Sequence, residues 1–100
     1  MMLETFEVGT FAPQLGETFR IQATDAEWLE ATLIEATALG DGASSEGRRA
    51  PFSLVFRGPR DRVLPQRIYR VDHEGIGEFE LFLVPIGPDR EGMRYEAVFG

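Results

Sequence analysis

The sequence predicts an all-β domain: a small antiparallel sandwich, roll or barrel of about six strands, with a short N-terminal helical turn. Three observations carry that expectation. Apolar and polar residues alternate in several short runs, and Gly, Pro and Asp punctuate the chain between them. Eleven aromatic residues in 100 are enough to fill a compact β core. The chain is long enough to bury one such core and too short for two, so residues 1–100 read as a single domain.

The elements follow in order. Thr10 to Gly16 reads as one helical turn, with Thr10 as N-cap, Pro13 in the first turn and Gly16 just past the end. Thr18 to Gln22 reads as a strand, because Phe19 and Ile21 alternate with polar neighbours. Trp28 to Leu39 carries two signals. The capping-box pattern Thr24-Asp25-Ala26-Glu27, the Ala, Glu and Leu content and a stop at Gly40 favour a helix. Alternation of Leu29, Ala31 and Leu33, with β-branched Thr32, Ile34 and Thr37, favours a strand, and the strands elsewhere in the chain tip the reading that way.

Gly40 to Arg49 is a polar loop with nothing to bury. Pro51 to Arg57 is the clearest strand, with Phe52, Leu54 and Phe56 on one face, and Gly58 to Arg62 turns the chain. Arg67 to Asp72 and Glu78 to Val84 are strands joined tightly through Glu74 to Gly77. Apolar residues on both faces of the second, Phe79, Leu81 and Leu83 against Phe82 and Val84, predict burial on both sides. Pro85 to Gly92 reads as a turn-rich link, and Met93 to Phe99 as the closing strand.

Several runs together carry a resemblance: Phe11-Ala12-Pro13-Gln14-Leu15-Gly16-Glu17-Thr18-Phe19, then Arg49 to Pro59, Leu64-Pro65-Gln66, Phe82 to Pro88 and Tyr95 to Phe99. Over nearly its whole length the chain resembles a family of small uncharacterised bacterial domains associated with genes for phage-tail-collar-like fibre proteins. The resemblance implies no activity and transfers no catalytic residue. The matching positions are mostly aromatics, Gly and Pro, residue types that determine a fold.

Composition excludes several chemistries. Without Cys there is no disulfide, no thiolate nucleophile and no Cys-ligated metal, and one His is too few for an ordinary transition-metal site. All ten basic residues are Arg, so Schiff-base chemistry and a phosphate-loop lysine are also absent. No cofactor is expected. The longest apolar run, Leu81 to Ile86, falls far short of the roughly 20 residues of a membrane helix, and the N-terminus lacks the pattern of a secretory signal. Synthesis in the cytoplasm is the expectation, with incorporation into an exported or virion-like assembly left open.

Charge is unevenly distributed. Residues 1–47 hold nine acids and one Arg, residues 48–70 seven Arg and one acid, and residues 71–100 seven acids and two Arg, for a net charge of −7. Arg48, Arg49, Arg57, Arg60 and Arg62 are therefore candidates for binding a protein partner or a second copy of the chain. The structural alternative is pairing of these arginines with acids on neighbouring strands. Nucleic acid is disfavoured by the net charge.

Other constellations are weaker. His73, between Asp72 and Glu74, is read as a solvated turn residue, because sequence neighbours on a strand point to opposite faces and make a poor catalytic pair. Ser44, Ser45 and Ser53 lack a nucleophile elbow, and Gly75-Ile76-Gly77 fits a hairpin better than a dinucleotide loop. Glu78 and Glu80 share a strand face and read as solvated. The expected function is a non-enzymatic structural or assembly module of a fibre system. The alternatives are a small-molecule-binding β-barrel, or a small enzyme using carboxylates or His73.

Overall fold

The computed structural model describes residues 8–39 and 51–99. A helical turn, α1 (Val8–Phe11), continues into a 3-10 turn at Ala12–Gln14, and six strands follow: β1 (Thr18–Thr24), β2 (Glu27–Ala38), β3 (Phe52–Gly58), β4 (Arg67–His73), β5 (Gly77–Pro88) and β6 (Met93–Phe99). All neighbouring strands are antiparallel and close into a barrel in the order β1-β2-β3-β6-β5-β4. Of the three architectures the sequence allowed, the barrel is the one formed.

The two long strands make closure possible. β2 pairs with β1 through Thr32 and with β3 from Thr32 onward, while β5 pairs with β4 through Leu83 and with β6 from Val84 onward. Each shifts register once, at Ile34 in β2 and at Ile86 in β5. An extra residue of this kind bends a strand and increases its twist, which lets one strand serve two neighbours around a corner. β2 thus settles the ambiguous Trp28–Leu39 stretch as a strand: tertiary pairing on both edges overrides its helix propensity.

Two sequence expectations are corrected in β5. The strand continues to Pro88, so the Pro85–Gly92 link shrinks to the turn after it. Its Pro and Gly residues sit at and beside the bulge, where a missing ladder donor is tolerated, and Gly87 takes a positive φ of 104°. Burial on both faces also fails: Phe79, Leu81 and Leu83 point into the barrel, whereas Phe82 is 49% exposed. Both runs are apolar, but only one face of a barrel strand reaches the core.

Inward side chains fill the barrel. At one end, Phe11 from α1 plugs the mouth, its ring 5.8 to 6.5 Å from those of Phe19, Phe52, Phe79 and Phe99. Phe52 and Phe99 stack at 4.3 Å across the β3–β6 ladder. At the opposite end Leu64, from the β3–β4 connection, is buried; its N–H donates to the Tyr95 hydroxyl at 2.9 Å, while the Tyr69 hydroxyl donates to the Pro65 carbonyl. Polar tips of the two buried tyrosines thereby find partners where the core meets the chain covering it.

Candidate interaction surface

The charged candidates come first. Arg48 and Arg49, with Ser44 and Ser45, lie outside the described residues. Arg57, on the outer face of β3, grips Asp89, with Nε 2.9 Å from Oδ2 and one terminal nitrogen closing a second contact. Asp89 also accepts the N–H groups of Glu91 and Gly92 at 2.8 and 3.0 Å, an Asx-type arrangement that builds the β5–β6 turn. Hydrogen bonding from Arg57, then from those two N–H groups, holds the Asp89 carboxyl well below the usual carboxylate range.

Arg60 donates to the carbonyls of Asp89 and Arg90 at 2.7 and 3.2 Å. Arg62 makes a two-point contact with Glu27 at 2.5 and 2.9 Å, and this hydrogen bonding lowers the Glu27 pKa. Three guanidinium groups of the basic segment are thus engaged inside the chain, fastening the β3–β4 connection to the β1–β2 and β5–β6 turns. The planar fork suits both two-point pairings.

His73 corrects the sequence reading. It is 5% exposed, not solvated, because it is the last inward-facing residue of β4. Its ring lies 4.4 Å from that of Phe19, its Nε2 is 2.7 Å from Glu17 Oε1, and its Nδ1 accepts the N–H groups of Gly75 and Ile76 at 3.0 and 3.1 Å. Because Nδ1 accepts twice, the ring proton of the neutral form resides on Nε2 and is donated to Glu17. Glu17 is held in place by its backbone: its carbonyl accepts the Leu33 N–H at 3.1 Å, while the adjacent Gly16 N–H donates to the Leu33 carbonyl at 2.8 Å. An open cleft runs past Gln14, Glu17, His73 and Glu74, but neither imidazole nitrogen is available to a substrate there.

The remaining chemical candidates do not converge. Glu78 and Glu80 share the exposed outer face of β5, with Arg70 3.9 Å from Glu78, and Ser53 is buried on β3. Gly77, at φ 96°, completes the hairpin turn into β5. Among the described residues no group of three His, Asp or Glu side chains is placed to hold a metal ion.

The sequence did not single out the outer face of β4, β5 and β6. Ile68 and Phe82 are directly opposed across the β4–β5 ladder, and they are 63% and 49% exposed. Val84 opposes Glu96 across β5–β6, and Val98, two residues beyond Glu96 on the outer face of β6, is 62% exposed. Three large exposed apolar residues therefore lie in a row on the outer faces of three neighbouring strands, with Arg70 two residues beyond Ile68 on β4 and Glu96 two residues before Val98 on β6. Such a row is unlike the scattered single apolar residues of an ordinary surface.

A family model for a domain of unknown function, DUF6916, matches residues 6–99. The chain belongs to the DUF6916 family. The matched range takes in α1 and all six strands, so the DUF6916 domain corresponds to the complete barrel together with its Phe11 plug. No curated protein and no solved structure matches the chain.

One further feature of this DUF6916 barrel is the seam that closes it. β1 and β4 are paired only at Arg20–Asp72 and Ile21–Val71. The same register would set Ala23 opposite Tyr69 and Thr24 opposite Ile68, and those pairs do not form. The strands part there around an open cleft of about 280 Å³, with Gln22, Thr24 and Asp25 on one bank and Arg67, Ile68 and Arg70 on the other.

Proposed function

We propose that the chain is a non-enzymatic structural or assembly module that joins copies of itself through the outer face of β4, β5 and β6. The row Ile68, Phe82 and Val98 carries this reading. Exposed apolar side chains aligned across three strands lose unfavourable contact with water when a second surface covers them. The flanking charges favour a second copy as the occupant. A two-fold axis lying along the face over Phe82 sets Phe82 against Phe82 and brings Arg70 of each copy toward Glu96 of the other. Self-complementarity of this sort characterises an isologous contact.

Filling of the barrel by its own side chains supports assembly over carriage of a small molecule, and the engagement of both His73 nitrogens supports a structural over a catalytic use of that residue. A fibre or tail-like assembly, the setting that the sequence resemblance implies, is built from repeated contacts between copies. In this reading the apolar row provides the contact, with Arg57, Arg60 and Arg62 bracing the barrel that presents it.

Sedimentation equilibrium over a wide concentration range tests the proposal. A concentration-dependent oligomer is expected to persist at high salt, because apolar burial is not screened, and to vanish in Phe82→Ser. An oligomer that dissolves with salt would return the contact to the arginines, since exposed charges are screened over about 8 Å at physiological ionic strength. A monomer at every concentration would overturn self-association.

A further inference from the structure

We infer that the parted seam between β1 and β4 is a strand-addition site for an extended acidic segment of a partner protein. The inference rests on the seam and not on self-association, although the cleft shares Ile68 and Arg70 with the self-association face. An unpaired strand edge presents N–H and C=O groups that pair readily with another chain, and sheets normally protect such edges by closing, covering or charging them. This barrel is closed, yet its ladder stops after Ile21–Val71 and leaves the edge of β4 open toward Arg67. The cleft there lies just below the roughly 300 to 1,000 Å³ of ordinary small-molecule pockets and is lined by Gln22 to Asp25, Arg67 to Arg70 and Glu80. The stretch of β4 without a β1 partner, Arg67 to Tyr69, matches two or three extended residues, each advancing about 3.3 Å.

Charge selects the occupant. On a chain of net charge −7, the β4 bank carries Arg67 and Arg70 on either side of exposed Ile68. Arg67 lies over the Tyr69 ring at 5.9 Å and makes no ion pair among the described residues. Arg70 has a long contact to Glu78 and stands directly across the ladder from Glu80, which also lines the cleft, with Asp25 on the β1 bank. Arg67 is thus the charge of the cleft left without an acidic partner. A strand added along β4 would place one outward side chain beside Ile68 and the next outward one beside Arg70, because alternate residues share a face. An apolar residue followed two positions later by an acidic one fits those neighbours, with a further acid reaching Arg67 at the barrel mouth.

The test uses the full chain and a fluorescently labelled peptide alternating Glu and Val, followed by anisotropy and by amide hydrogen exchange. Three comparisons accompany it: the same peptide N-methylated at alternate residues, a peptide alternating Lys and Val, and the R67E/R70E variant, whose fold is checked by its unchanged melting transition. Saturable binding is expected, weakened at least tenfold by N-methylation, by the Lys peptide and by R67E/R70E, with new exchange protection at residues 23–24 and 67–70. Binding should be retained or tightened in Phe82→Ser, where no second copy covers Ile68 and Arg70, and its loss there would assign the binding to the self-association face. Absence of binding, equal binding of the N-methylated peptide, or protection confined to other strands would overturn the inference.

Discussion

His73 carries more of the fold than a turn residue would. Its ring accepts two backbone N–H groups, donates to Glu17 and packs against Phe19, joining the β4–β5 turn to the segment that enters β1. Truncation to Ala leaves the Gly75 and Ile76 N–H groups without that acceptor and opens space beside Phe19. His73→Ala is therefore expected to destabilise the protein by about 1–3 kcal/mol, through loss of the hydrogen bonds of the buried ring and of its packing against Phe19. Urea denaturation measures it, and a midpoint within error of the parent would show that water replaces the ring without penalty. Nothing in the sequence pairs His73 with a partner, because its neighbours Asp72 and Glu74 make a poor pair and point to a solvated turn. The actual partner, Glu17, lies 56 residues away and becomes visible only once β1 and β4 are neighbours.

At the scale of elements, the β5–β6 turn depends on ionised Asp89. The carboxylate binds Arg57 and caps the N–H groups of Glu91 and Gly92, and its pKa is depressed in the folded state. A depressed folded-state pKa contributes stability that is present above the unfolded value, near pH 4 for an aspartate, and lost as pH falls below it. Glu27, lowered by Arg62, has the same sign. Thermal melts should therefore show stability declining below about pH 4, with a shallower decline in Asp89→Asn; identical pH profiles would remove Asp89 from acid unfolding.

Most strands were legible because alternation is a local property: Phe52, Leu54 and Phe56 mark β3 without reference to any other element. β5 was legible only as far as Val84. Pro85, Gly87 and Pro88 have the composition of a loop, and their place in a strand follows from a bulge and a partner, β6, that local sequence does not specify. The same non-local fact hid the candidate surface. Phe82 and Phe79 are chemically alike, and which of them faces the core is set by the direction in which the barrel curves.

For the whole molecule, Arg57, Arg60 and Arg62 of the basic segment make intramolecular contacts at one end of a closed barrel, while the apolar row lies on its wall. The central claim is that two copies meet over Phe82. Since the chain contains no cysteine, a single Val98→Cys substitution, which leaves Phe82 in place and nearly keeps the side-chain volume, supplies a direct reporter on that face, with Glu30→Cys on the exposed outer face of β2 as its control. Under mild oxidation at equal dilute concentration, rapid conversion of the Val98→Cys protein to a covalent dimer is expected while the Glu30→Cys protein remains monomeric. Equal, slow cross-linking of the two would contradict it.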